Sequence, residues 1–228
     1  MPKVQTNGSG SVYTVNGSIL LTNDSGEGGS GTRDVTLTRI SDDNNNEIGT
    51  WYMNFEDGSG NIFKVVLLDA QYRNDSTQWC SDDSASVTNM PIYNSSYNLW
   101  WYDDAKETAT YNTQLILDFC TANNYTSSAC THCRSQSFTI NGTTYYGQLP
   151  NAREVFDLWR HRTNIELMDT TASSYSGTNF SEARDIWTSN QGEYFFNNSA
   201  YGLFSSGDIN SNFITSNHLT CPVLEIPA

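Results

Sequence analysis

Alternation of apolar and polar residues along the first seventy positions predicts a series of β-strands. Residues 11–15 and 18–21 surround an Asn-Gly dipeptide at 16–17, the pair most typical of a two-residue hairpin turn. Residues 34–40 alternate between apolar and polar side chains, as expected for a strand with one buried face. Residues 62–68 form a continuous apolar run, which predicts a strand buried on both faces. One further strand is predicted at residues 51–55.

Gly- and Ser-rich stretches at residues 7–10 and 24–31 lie on either side of the first two predicted strands. The pattern therefore predicts a small N-terminal β-rich module over residues 1–58. About 55 residues bury only a marginal core of their own. We expect this module to pack on a partner, on the rest of the chain or on copies of itself.

The hydrophobic period changes to that of a helix in two later segments. Residues 113–122 carry apolar side chains at helical spacing and are followed by two asparagines at 123–124. The second helix begins after Pro150, where Asn151 and Glu154 have the spacing of a capping box. A hairpin is predicted at the Asn-Gly pair of residues 141–142. Short strands are predicted at residues 185–188, 194–196, 201–204, 213–215 and 221–226. The predicted class is α+β.

Several motifs occur in a fixed order along residues 60–228. They are Leu117-Asp118-Phe119-Cys120, Leu149-Pro150 through Leu158, Trp187-Thr188-Ser189, Ala200-Tyr201-Gly202-Leu203-Phe204 and Thr220-Cys221-Pro222-Val223. This order resembles the Lcl C-terminal domain family, a C-type-lectin-like fold found in adhesins and in phage structural proteins. The resemblance implies that residues 59–228 form a lectin-like domain with two helices and short antiparallel strands.

The resemblance also implies a disulfide between Cys120 on the first helix and Cys221 on the last strand. The chain has five cysteines, so at least one is unpaired within it. Cys130 and Cys133 have a Cys-x-x-Cys spacing that suits half of a zinc site, a local disulfide or two reduced thiols. Oxygen-rich residues 42–47 and 56–61 suit either calcium ligands or polar turns, and neither matches an EF-hand loop.

The chain is acidic, with a formal net charge of −14 although only 16% of its residues are charged. Such a chain repels nucleic acid and anionic lipid, so we expect neither as a partner. No run of about 18 apolar residues is present, and no membrane insertion is expected. The first residues lack a basic and then apolar leader, so no signal peptide is visible. Either the protein is made and used without secretion, or the signal is missing from this sequence.

The sequence contains no phosphate loop, no Gly-x-Ser-x-Gly motif and no His-Glu-x-x-His motif. Its three histidines, at 132, 161 and 218, are far apart along the chain. Asp103 and Asp104 are adjacent, a spacing that rarely gives the carboxylate separation of a glycosidase. We therefore expect no catalytic site, no cofactor and no resident metal.

The family resemblance and the turn-rich composition predict a non-enzymatic bacteriophage virion protein, a fibre or receptor-binding component made in the host cytoplasm. The alternative is a bacterial cell-surface adhesin or carbohydrate-binding module, and a third is an enzyme of the sulfatase-activating type. Expected partners are other copies in a homo-oligomer, with a trimer as one form, other virion proteins through residues 1–58, and a host-surface glycan or protein.

Two surface segments are candidates for ligand binding, because loops on a rigid scaffold often carry function. The candidate residues are Tyr97, Trp100, Trp101, Tyr102, Ser189, Asn190, Gln191 and Tyr201. Trp100 and Trp101 suit packing in a core or between subunits as well as display. A separate prediction places Val155, Leu158, Trp159 and Trp187 in one core.

Overall fold

A computed structural model describes the backbone of residues 5–7, 10–15, 18–21, 35–83, 92–93, 107–169, 185–192, 198–203 and 208–228. Side chains are described for residues 37–83, 107–169, 185–191 and 213–228.

The first sheet has seven antiparallel strands in the order β1-β2-β3-β4-β5-β6-β15. Its strands are β1 (Gln5–Asn7), β2 (Gly10–Val15), β3 (Ser18–Leu21), β4 (Val35–Ser41), β5 (Glu47–Glu56), β6 (Ile62–Leu68) and β15 (Val223–Pro227). The last strand of the chain thus returns to lie beside β6. Strands β2 and β3 pair with Val15 opposite Ser18, which confirms the predicted hairpin there.

The second sheet is mixed, with the order β13-β12-β11-β14-β7 and a parallel pairing of β8 with β11. Its strands are β7 (Asn74–Thr77), β8 (Ile92–Tyr93), β11 (Asp185–Gly192), β12 (Asn198–Leu203), β13 (Asp208–Phe213) and β14 (His218–Thr220). A separate hairpin joins β9 (Ser137–Ile140) to β10 (Thr143–Tyr146). Asn141 and Gly142 both have positive φ, as the predicted turn requires.

Helices α1 (Ala109–Asn123), α2 (Ser128–Arg134) and α3 (Ala152–Met168) complete the described fold, with a 3₁₀ turn at Ala70–Tyr72. The α+β class is confirmed. Helix α2 was not predicted, and it brings the described helices to three where two were expected. The predicted capping box at the start of α3 is present: the Asn151 side chain accepts from Glu154 N, and Glu154 accepts from Asn151 N.

The strands on the two sides of the predicted domain boundary at residue 58 pair with each other. Strand β5 pairs with β6 along seven positions, from Gly49 opposite Leu68 to Glu56 opposite Ile62. Residues 37–58 therefore pack in the same sheet as the chain that follows. The separate attachment role of residues 1–58 stays a prediction.

Three clusters of buried side chains fill the described structure. The first core joins one face of the first sheet to α3, and includes Tyr52, Val65, Leu158 and Cys221. The third core lies on the opposite face of that sheet, where the β9–β10 hairpin covers Val66, Leu68 and Leu224. Alternate residues of β6 thus enter different cores, which confirms that this strand is buried on both faces.

The second core lies among α1, α2 and the second sheet. Its buried members are Trp79, Cys80, Ile116, Cys120, Ala129, Cys130, Cys133, Leu149, Trp187 and Ile214. The prediction of a single core for Trp187 with Val155, Leu158 and Trp159 is wrong, because the latter three belong to the first core. Trp187 follows Ile186 on β11, and successive strand residues point to opposite sides.

The oxygen-rich segments at residues 42–47 and 56–61 are two copies of one turn. In the first turn Asp42 Oδ1 accepts from the backbone N–H of Asn44 and Asn46, at 2.9 and 2.8 Å. In the second, Asp57 Oδ1 accepts from Ser59 and Asn61 in the same way. These bonds hold the pKa of both carboxyls below its usual value. The polar-turn interpretation is favoured, because each carboxylate already has donors within its own turn.

Candidate functional site

The predicted ligand residues on β11 are buried. Ser189, Asn190 and Gln191 are at most 3% exposed. Ser189 donates its N–H to Pro150 O at 2.7 Å, and its Oγ accepts from Asn112 Nδ2 at 3.1 Å. Asn190 Oδ1 accepts from Ala152 N, at the start of α3, at 2.7 Å. The prediction that these three residues face a ligand is wrong, because all three are buried and Ser189 and Asn190 bond to α1 and to the start of α3.

The other predicted ligand residues are only partly covered by the structure. Tyr201 lies on β12, opposite Trp187 of β11 and Asn210 of β13, and its side chain is outside the described residues. Tyr97, Trp100, Trp101 and Tyr102 also lie outside them. Their roles stay predictions.

A short strand that precedes the predicted aromatic residues along the chain lies beside β11. Strand β8 pairs in parallel with the end of β11, with Gln191 opposite Ile92 and Gly192 opposite Tyr93. Tyr93 comes four positions before Tyr97 in the sequence. We name residues 78–108, which connect β7 to α1, the connecting segment.

Both ends of the connecting segment are fixed by hydrogen bonds to other elements. At its start, Cys80 N donates to Ile214 O at 3.0 Å and Ser81 N donates to Thr126 O at 2.8 Å. At its end, Thr108 caps α1 and its side chain accepts from Tyr111 N at 3.0 Å. The fold therefore holds this segment at its start, at β8 and at its end.

A buried carboxylate holds the start of α1 against the last strand. The side-chain oxygens of Glu225 accept from Ala109 N and Thr110 N, each at 2.8 Å. Glu225 is 7% exposed, and the free N–H groups of a helix start are the donors that best satisfy a buried carboxylate. The same side chain thus fixes the end of the connecting segment.

A second buried carboxyl group lies beside the first. Glu154 is fully buried, and burial raises its pKa well above the usual value, with the charge of Glu225 as the next cause. Burial also raises the pKa of Glu225, while the hydrogen bonds from Thr110 and Ala109 oppose this rise. Two like charges in a buried site repel each other, so each carboxylate disfavours ionisation of the other. Tyr52 donates from its hydroxyl to Glu154 O at 3.0 Å.

Two carboxyl groups with displaced pKa values can in principle exchange protons with a substrate. Here Glu154 accepts from Asn151 N at 2.8 Å, and Glu225 accepts from the start of α1. Both are buried, and each is bonded to a helix N-terminus. The arrangement joins the starts of α1 and α3 to the last strand.

A buried ion pair lies at the C-terminal end of α3. Arg73 Nη2 lies 2.9 Å from Asp169 Oδ2, and the two side chains are 0% and 1% exposed. Asp169 also accepts from Ala70 N at 2.8 Å. The 3₁₀ turn after β6 is thereby fastened to the C-cap of α3.

The cysteines do not pair as the resemblance implies. All five thiols are free and buried. The sulfur of Cys120 lies 3.9 Å from that of Cys80 in the second core, whereas Cys221 belongs to the first core. The predicted bridge between Cys120 and Cys221 is absent, because α1 turns Cys120 away from the core that holds the last strand.

The Cys-x-x-Cys pair lies on helix α2. Cys130 and Cys133 are both fully buried, and burial raises the pKa of both thiols, that of Cys130 to about 12. Among the residues that the structure describes, no three His, Cys, Asp or Glu side chains are placed to hold a metal ion together.

Sequence reasoning missed the roles of Glu225 and Asn112. Glu225 had a usable signal: it is the one charged residue in the otherwise apolar run from Cys221 to Ile226, so its burial demands a partner. Asn112 lies in the first turn of α1 and had no such signal, since polar residues are common there.

In the described part of the chain, no helix is both long and apolar enough to cross a bilayer. Comparisons of the chain with models of protein families, with curated proteins and with solved structures find no match.

Proposed function

We propose that the protein is a non-enzymatic structural component of a bacteriophage virion. It acts as a fibre or receptor-binding protein and attaches to the host surface through a lectin-like domain. The single observation that carries the proposal concerns the connecting segment, whose sequence includes the candidate aromatic residues. This segment is attached to other elements at its start, at β8 and at its end.

The anchoring supports display because it lowers the cost of ordering a binding loop. Cys80 and Ser81 fasten the start of the segment, β8 pairs with β11, and Glu225 holds the helix that ends it. A segment whose ends are already fixed loses less conformational entropy when it binds. Loops held in this way by a rigid scaffold are a common location of recognition sites.

The residues of this segment favour a neutral or sugar-rich ligand. Tyr97, Trp100, Trp101 and Tyr102 provide large contact surfaces with few rotatable bonds, and aromatic rings stack on sugar faces. The net charge of −14 opposes polyanionic ligands. A host-surface glycan is therefore the first ligand class to test, ahead of a host protein.

Residues 1–58 supply the proposed attachment and self-association region. Strand β1 lies at one end of the seven-stranded sheet order. An edge strand offers free backbone groups that a second chain can pair with. We propose that this edge joins the protein to copies of itself, with a trimer as one form, or to other virion proteins.

The test is binding of the labelled full-length chain to arrays of bacterial surface polysaccharides and to intact bacterial cells. We expect the double variant Trp100→Ala/Trp101→Ala to lose at least about tenfold in affinity, because one aromatic ring stacked on a nucleobase contributes on the order of 1–3 kcal/mol and two rings are removed here. Its melting temperature should stay that of the parent chain. Tyr146→Ala is the matched control, since Tyr146 is a 50% exposed aromatic on β10.

Three outcomes would contradict the proposal. The double variant could melt far below the parent, which would make the two tryptophans part of a core. It could bind as well as Tyr146→Ala, which would remove the segment from the ligand site. An antibody against the chain could label no particle of a phage whose genome encodes it, which would refute the virion assignment.

A further inference from the structure

The sulfur atoms of Cys80 and Cys120 face each other across the second core at 3.9 Å. We propose that these two residues are a covalent modification site, at which oxidation forms a disulfide between the start of the connecting segment and helix α1. The proposal does not rest on the proposed function, because the bond would enclose the segment whatever the segment binds.

The backbones on both sides of the pair are already held in place. Cys80 N donates to Ile214 O, and Trp79 Nε1 donates to Thr188 O at 3.0 Å. On the other side, Cys120 O accepts from Tyr125 N at 2.8 Å at the end of α1. A disulfide needs its sulfurs about 2.05 Å apart, so each sulfur has to move by only about 1 Å. Rotation of the two side chains can supply this movement.

The other cysteines are less suited to this bond. Cys221 lies in the first core, whereas Cys80 and Cys120 lie in the second. Cys130 and Cys133 lie three positions apart on the seven-residue helix α2, whose backbone fixes both positions.

A small disulfide such as oxidised glutathione supplies the oxidant. The Cys80 thiolate attacks one glutathione sulfur, which forms a mixed disulfide and releases one glutathione thiolate. The Cys120 thiolate then attacks the Cys80 sulfur and releases the second glutathione thiolate. Two cysteine thiols lose two electrons and two protons, and one glutathione disulfide becomes two glutathione molecules. Because both cysteines are at most 3% exposed, we place the exchange during folding, before the second core closes.

The product would cross-link positions that are 40 residues apart. The closed loop contains residues 84–106, including β8. Its main effect would be on the unfolded chain, whose freedom the cross-link reduces. For a chain of this length the melting temperature should rise by roughly 5–10 °C in the oxidised form.

The experiment refolds the full chain from denaturant in a buffer of oxidised and reduced glutathione, followed by alkylation of free thiols and peptide mapping without reduction. Trypsin cuts after Lys106 and chymotrypsin cuts after Tyr125, so Cys80, Cys120 and the Cys130–Cys133 pair fall on separate peptides. We expect one linked pair of peptides, joined through Cys80 and Cys120, and three alkylated cysteines. Reduction should lower the melting temperature by the amount stated above.

Cys133→Ser is the matched control, because it removes a buried thiol of the same core and should leave the cross-link intact. Cys80→Ser should leave four alkylated cysteines and no linked peptides. Five alkylated cysteines in the parent chain, or a link through Cys130, Cys133 or Cys221, would overturn the proposal. Peptide mapping of the parent chain tests the proposal even if a variant folds poorly.

Discussion

Replacing Glu154 with glutamine should remove much of the dependence of folding stability on pH above about pH 5. Glu154 is fully buried, and its pKa is raised by burial and then by the charge of Glu225. A glutamine side chain can still accept from Asn151 N, as Glu154 Oε2 does at 2.8 Å. An amide carries no charge at any pH. The variant therefore reproduces the protonated form of Glu154 at every pH.

The sign follows from the direction of the pKa shift. A carboxyl group whose folded pKa lies above its unfolded value binds more protons in the folded state. Its contribution to stability is complete below the unfolded pKa, about 4.3, and is lost as the pH rises through the folded pKa. Between these limits one such group lowers the free energy of unfolding by about 1.4 kcal/mol per pH unit. From pH 5 up to the raised pKa of Glu154, the parent chain should thus lose stability along this slope.

Urea unfolding of both proteins at pH 5, 6 and 7 measures this slope. We expect near-equal stability at pH 5 and a Glu154→Gln variant more stable than the parent at pH 7. Glu56→Gln is the matched control, because Glu56 is exposed at the end of β5 and the change should leave the slope as it is. Parallel stability curves for the parent chain and Glu154→Gln would refute the argument, since Glu154 would then titrate alike in the folded and unfolded chain.

Two further changes test the packing. Asp169→Ala removes the carboxylate that pairs with the buried Arg73 and should cost about 3–5 kcal/mol in urea unfolding. Glu47→Gln changes a 52% exposed side chain near Arg39 and should cost less than about 1 kcal/mol. Equal losses in the two variants would contradict this expectation. Trp187→Ala should lower the unfolding free energy by about 3–5 kcal/mol, because the ring is fully buried and its Nε1 donates to Thr77 O at 2.8 Å. A variant with the parent's melting temperature would show that Trp187 is not structural.

The sequence predicted the elements whose signals are local. The capping box of α3 needs only Asn151 and Glu154, three positions apart. The turn at Asn141-Gly142 needs two residues that tolerate positive φ. The apolar run 62–68 matched the observed strand β6 in both bounds. In each case the energetic preference lies within a few neighbouring residues, so the pattern carries it.

The missed helix α2 shows where local signals are too weak. It has only seven residues, too few for an apolar period to appear, and its N-cap Ser127 stands in a region rich in Ser and Thr. Its apolar residues are Ala129, Cys130 and Cys133, which pack on the second core. Short helices of this kind are stable only through tertiary contacts.

The candidate site shows the same division. The sequence by itself determined the class, most of the local elements and the aromatic content of the connecting segment. Only the tertiary structure decided that Ser189 and Asn190 turn inward, that Glu225 meets Glu154, and that Cys120 faces Cys80 and not Cys221. Each of these contacts joins residues far apart in the chain. Their energies depend on burial and on hydrogen-bond partners that the fold supplies, and no spacing along the sequence records them.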